Sequence, residues 1–334
     1  MAKSCNRRFF LKSLLAGGGL LGAGPVLSVL SAAAAPAGEM EQERSLTRTA
    51  LFMGTVVSII VAGTDRRTGS EAVERAFAVG RGLEGVLTRF DGNARLAELN
   101  RQGRLGDVPP AMAAVLEKAR HMHRVTSGAF DPTVLPLVRA AESGQPELVR
   151  RSLPLVGMEH VDFSGGGILL RRSGMALTLD GIAKGHIADA MSRELTAAGC
   201  PDHCIDAGGD IVVRGRRQDK QPWRIGVEDP HRHGRRLHVL SLAEGGAVAT
   251  SGISRAGAPR ASGRLVNPAT GGEAAQARAT VLAPDCATAD ALATALSVMP
   301  PVAALALADA QPGCACLLVR HDGLTLASRN WPRG

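Results

Sequence analysis

Asp290 and Thr294 stand four residues apart in ATADALATALSVM (Ala287–Met299), a segment with strong helical patterning, so their oxygens share one face. A carboxylate beside a hydroxyl, with room for carbonyl and phosphate oxygens, is a hard donor set. It suits Mg²⁺, which keeps few protein ligands and takes the rest from water and substrate phosphates. The plainer alternative is a helical aspartate next to a threonine back-bonded to its own helix. A second stretch, LTLDGIAKGHIAD (Leu177–Asp189), brackets Lys184 between Gly181 and Gly185. Alternation through Leu177, Thr178, Leu179 and Asp180 predicts a short strand, and Ile187, Ala188, Met191, Leu195 and Ala198 fall at helical spacing. A strand that turns at glycine into a helix exposes backbone N–H groups and, with a lysine, suits a phosphate-bearing ligand. As a turn alone it is common. In SGAFDPTVLPL (Ser127–Leu137), Pro132 holds Asp131 extended and so fixes the direction of its carboxylate. An Asx-type turn is the structural alternative there.

The elements that must position these residues alternate strands and helices without repeated βαβ units, which predicts an α+β fold with mainly antiparallel sheets and flanking helices. LFMGTVVSIIVAG from Leu51 has strand composition, and Ser70–Thr88 and Pro109–Val125 carry helical periodicity, with a short helix at Arg95–Asn100. His121 and His123 on the second long helix do not share a face and read as surface residues. Pro146–Ser152 reads as a link, followed by a strand pair around His160–Arg171. CIDAGGDIVVRG (Cys204–Gly215) reads as strand, Gly-Gly turn, strand. Strands are expected at Trp223–Glu228, Leu237–Leu242, Gly246–Thr250, Leu265–Gly272, Thr280–Ala283, Cys316–Arg320 and Leu324–Ala327.

The chain has 334 residues, 45% apolar and 21% charged, enough for a full core. It has no Tyr, two Trp and seven Phe, too few aromatics for a stacking platform on single-stranded nucleic acid. Half of its formal charge of +8 comes from Lys3, Arg7, Arg8 and Lys12, and the remainder is thinly spread, so no nucleic-acid partner is expected. Those four residues belong to a leader. NRRFFLK (Asn6–Lys12) carries a twin arginine, Ser13–Ala35 is uncharged and Gly-rich, and Ser31–Ala35 offers an A-x-A type cleavage region. Residues 1–35 therefore read as a twin-arginine signal peptide for periplasmic export, residues 36–46 as a flexible spacer, and 47–330 as one domain. An uncleaved inner-membrane anchor is the alternative use of the leader. Outside it lie Cys200, Cys204, Cys286, Cys314 and Cys316, an odd number with the wrong spacing for paired zinc knuckles. They read as buried thiols, a Cys200–Cys204 disulfide being the alternative in an oxidising compartment.

The motifs together resemble the ApbE family of FAD:protein FMN transferases, from about Leu51 to Ser328. The blocks occur in the family's order: MGT at Met53, SGAFDPT at Ser127, DGIAKG at Asp180, DAGGD at Asp206, ATSG at Ala249, NPATG at Asn267 and AD-x-x-A-T at Ala289. The resemblance implies a single T-fold-related domain and a metal-dependent split of FAD. A Thr or Ser hydroxyl of a partner flavoprotein would attack the FMN-side phosphorus, and AMP would leave. It further implies Mg²⁺ on Asp290, Thr294 and the carbonyl of Gly181. Lys184 and Thr178 would line the FAD site, Met53, Ala129, Phe130, Asp131 and Leu265 would cradle the flavin nucleotide, and Phe90 would pack on it. The chain also departs from the family. Arg264 stands where the family has a histidine, Asn267 replaces its aspartate, Ala94-Arg95 its serine-glutamate pair, Asp206 its asparagine and Asp180 its glycine. The last change is found in a subset resembling NosX, which implies a membrane-bound, periplasm-facing acceptor of nitrous-oxide respiration. No general base is named. A non-catalytic FAD-binding protein and an FAD pyrophosphatase are the alternative readings.

Overall fold

The computed structural model describes residues 45–232, 234–252 and 265–333. The leader, most of the expected spacer, His233 and Arg264 lie outside them. The expected strand after Leu51 is a hairpin of two strands, Ser45–Phe52 and Thr55–Ala62. Met53 and Gly54 form its turn with φ of 54° and 69°, the left-handed pair a two-residue hairpin needs. The first strand starts at Ser45, two residues inside the expected spacer.

Eight helices follow among the described residues: α1 (Arg66–Leu87), α2 (Arg95–Gln102), α3 (Pro110–Val125), α4 (Leu135–Ser143), α5 (Pro146–Ser152), α6 (Ala183–Ala197), α7 (Cys286–Val298) and α8 (Pro301–Ala310). The segment expected as a link is helix α5. It and α4 and α8 each carry proline in the first turn, where its missing N–H breaks no hydrogen bond. None of these helices is long and apolar enough to cross a membrane.

The main sheet is antiparallel throughout and keeps its eight strands in chain order. After the first hairpin come His203–Ala207, Ile211–Arg214, Gly246–Gly252, Arg278–Ala283, Ala315–Val319 and Thr325–Ala327. Period-two alternation sorts its side chains to two cores. Ile205, Val212, Ala247 and Leu318 face the helices, while Cys204, Val213, Val248 and Leu317 pack with the hairpin Trp223–Glu228/Arg236–Leu242. The five cysteines in these residues are buried free thiols, with no disulfide among them.

Two expected strands are absent. Leu177–Asp180 joins no sheet because its backbone groups have other partners. The Asn100 side chain bonds both Leu177 N–H (2.6 Å) and Leu177 C=O (2.8 Å), and Thr178 N–H donates to Pro132 C=O at 2.7 Å. Leu265–Gly272 likewise forms a single bridge, Val266 to Glu273, rather than a strand.

Helices α6 and α7 cross at Gly185, where a Cβ would lie 2.3 Å from the carbonyl oxygen of Cys286. Asp189, one turn on, accepts from the N–H groups of Cys286 and Ala287 at 2.9 Å each and so holds the start of α7. Further along α6, Ser192 Oγ lies 2.7 Å from His203 Nε2, whose Nδ1 meets Cys200 C=O at 2.7 Å. Burial pushes His203 down to about 4, so its ring is neutral in the fold. The unfolded ring takes a proton below about 6.5 and the folded one only near 4, so this group's stability is lost as pH falls through that window. By pH 5 the loss should reach about 2 kcal/mol. Urea midpoints at pH 7.5 and 5.0 check it: His203→Gln should show a visibly smaller acid loss than the parent chain, and equal losses would remove His203 from the account.

Candidate functional site

A cleft opens where the start of α6, the middle of α7 and the Gly208-Gly209 turn converge. The two glycines of the central block explain the convergence. Gly185 lets α6 lie against the start of α7, and a Cβ at Gly181 would meet Thr294 Oγ1 at 2.8 Å. Gly181, Lys184, Asp290 and Thr294, distant in sequence, therefore line one wall.

At its centre Lys184 Nζ lies 2.8 Å from Asp210 Oδ2 and 3.7 Å from Asp290 Oδ2, and it donates to Asp180 C=O at 3.3 Å. Asp290 also accepts from Gly185 N–H at 3.2 Å. Burial and the charge of Asp210 push Asp290 up to about 7, against the pull of Lys184. Burial disfavours the Lys184 ammonium, but Asp210 and Asp290 together outweigh it and hold its pKa above the ordinary value. Thr294 Oγ1 lies 3.3 Å from Ser251 Oγ.

A second wall comes from the Ala129–Pro132 turn. Asp131 Oδ1 accepts from Thr133 N–H (2.7 Å) and Thr133 Oγ1 (2.6 Å), an Asx turn that fixes the carboxylate. Burial raises its pKa despite those bonds. Behind it His123 Nδ1 lies 3.1 Å from Phe130 C=O and 3.5 Å from Asp131 Oδ2. His123 is therefore a partner of this turn and not a surface residue, because α3 packs directly against the loop that follows it. His121 is exposed as expected.

Of the residues singled out in the sequence, Ala129, Phe130, Asp131, Thr178, Gly181, Lys184, Leu265, Asp290 and Thr294 all line this cleft. Two do not. Met53 sits in the hairpin turn, packed on the core, its N–H donating to Glu84 Oε1 at 2.8 Å. Phe90 is 70% exposed beside the rim, under the guanidinium of Arg89. Among the charged residues lining the cleft, Asp210 and Arg89 were not singled out in the sequence. The first closes the DAGGD block, and the Gly-Gly turn before it was the available signal. Nothing local marks Arg89, whose partner Asp180 is 91 residues away.

The donor set fits a hard divalent cation. Asp210 Oδ2 is buried and receives no hydrogen bond of good geometry even with Lys184 beside it. Two buried carboxylates share one ammonium, and every other donor is oxygen. Among the described residues no group of three or more His, Cys, Asp or Glu is arranged to hold a metal, so a cation here would rely on hydroxyl, carbonyl and ligand oxygens as well.

This fold and this cleft define a flavin-transferase type of protein by likeness to solved structures. The flavin transferase ApbE of Vibrio cholerae superposes with a TM-score of 0.73 at 26% identity, covering 85% of this chain and 97% of that one. The ApbE protein of Thermotoga maritima gives 0.74 at 26% identity, covering 86% and 97%. The chain belongs to the ApbE family, whose profile matches residues 53–318. Its relatives include a protein of Treponema pallidum named FAD:protein FMN transferase, 28% identical over 319 residues, or 85% of this chain and 87% of the relative. One of the same name from Vibrio cholerae is 30% identical over 224 residues, or 62% and 66%.

Proposed function

We propose that this chain is an FAD:protein FMN transferase that uses Mg²⁺. The observation that carries the reading is the wall on which Lys184, Asp210, Asp290 and Thr294 meet at one end of a cleft built from the family's blocks. Asp290, Thr294 Oγ1 and the Gly181 carbonyl would hold the cation, which when bound would neutralise pyrophosphate charge. Lys184 supplies a fixed positive charge beside it. Asp131, Thr178 and Leu265 line the path of the nucleotide, and the Asx turn at Asp131 presents that carboxylate without rearrangement. An acceptor Thr or Ser hydroxyl forms the new O–P bond on the FMN side, its proton passes to solvent, the bridging P–O bond breaks, and AMP leaves with the bridging oxygen.

The test incubates the mature chain with FAD, Mg²⁺ and a candidate acceptor domain and weighs the acceptor by intact mass. A gain of one FMN moiety matched by AMP, and lost on chelation, is expected. AMP with free FMN would make it an FAD pyrophosphatase, and no products a flavin-binding protein.

The leader supports a periplasmic site of action. A route that passes folded cargo would deliver the enzyme to a membrane-bound, periplasm-facing acceptor, one of nitrous-oxide respiration in the NosX-like reading. Replacing Arg7 and Arg8 together by Lys should leave the precursor in the cytoplasm on fractionation; unchanged export would exclude the twin-arginine route.

A further inference from the structure

Arg89 enters the cleft from the segment after α1, and nothing in the reading above uses it. Its side chain is 12% exposed, and its Nε donates to Asp180 Oδ2 at 2.8 Å. The guanidinium carbon lies 4.1 Å from the centre of the Phe90 ring. Those two contacts fix the guanidinium plane, one by a charged hydrogen bond and one by stacking. They leave the fork of Nη1 and Nη2 without a hydrogen bond to any described residue.

The charge around the cleft says what that fork is for. Among the described lining residues the carboxylates are Asp131, Asp180, Asp210 and Asp290, and the cations are Arg89 and Lys184. Lys184 is already matched by Asp210 and Asp290. Among the described residues, a phosphate-bearing ligand entering this acidic cleft therefore meets one side-chain cation with donors to spare. A planar guanidinium with two parallel N–H groups matches a pair of phosphate oxygens, whereas an ammonium offers a point charge.

We infer that Arg89, anchored by Asp180, is a specificity-determining residue that recognises the phosphate oxygens of the flavin nucleotide. The inference rests on the cleft being the FAD site. Asp180 acts through Arg89 and is a positioning residue.

The experiment measures equilibrium binding by flavin fluorescence in EDTA, with FAD, FMN and riboflavin as probes, for the parent chain, R89Q, R89K and D180N. Arg89→Gln should weaken FAD and FMN about tenfold and riboflavin, which has no phosphate, less than twofold. Arg89→Lys should keep part of the FAD affinity, and D180N should lose severalfold with no further loss when added to R89Q. Thermal melts establish that each variant is folded, and R89K and D180N carry the test if R89Q is not. Unchanged FAD affinity in the Arg89 variants, or an equal loss for riboflavin, would overturn the inference. The two readings fail separately. A parent chain that transfers FMN while R89Q binds FAD normally removes only the role of Arg89. Phosphate-selective, Arg89-dependent binding with no transfer removes only the transferase.

Discussion

Replacing Asp290 by Ala should reduce Mg²⁺-dependent FMN transfer by about 10³-fold, a barrier change of about 4 kcal/mol. The side chain is buried in α7, faces Lys184 and shares its wall with Thr294. Stability should move the other way. Asp290 holds its proton up to about 7 in the fold, raised by burial and Asp210, while the unfolded carboxyl releases it near 3.8. Its contribution to stability is thus lost as pH rises through that window. Asp290→Asn, which cannot ionise, should therefore melt no lower than the parent at pH 8 without metal. It should also lose the rise in melting temperature that Mg²⁺ gives the parent. Retained transfer, or an intact Mg²⁺ response, would take the cation away from Asp290.

Gly185→Ala should be strongly destabilising. Its Cβ would lie 2.3 Å from Cys286 O, 2.5 Å from Cys286 C and 2.8 Å from Ala287 N, all backbone. That backbone cannot yield, because Asp189 already binds the N–H groups of both residues. Alanine improves helix propensity by about 1 kcal/mol, but forcing the helices apart costs about 3, so a net loss of about 2 kcal/mol is expected. Activity should fall with it, since moving α6 from α7 draws Lys184 from Asp290 and breaks the Gly185 bond to that carboxylate. A melting temperature within a degree of the parent would show that the helix pair is softer than its contacts imply.

Much of the site was legible because its residues cluster in short blocks. Asp290 and Thr294 follow from helical spacing alone, and the Gly181-to-Gly185 bracket marks a close approach even before its partner is known. Leu177–Asp180 shows the limit of pattern reading. Its alternation is that of a strand, but Asn100 and Pro132 take its hydrogen bonds, and no local signal reports a partner 77 residues away. Pro146 read as part of a link, whereas it opens helix α5. Arg89 and Asp180 could be paired only in three dimensions. Met53 was drawn toward the cleft by its motif, yet its backbone conformation is set by the hairpin turn.

The five buried thiols bear on where the chain can mature. Burial pushes Cys314 to about 11 and Cys316 to about 12 and raises the others, so none offers a thiolate to an oxidant at neutral pH. Among the described residues no cross-link has to form for the fold to close. The described domain can thus reach its folded state under reducing conditions, with no oxidative step among these five cysteines.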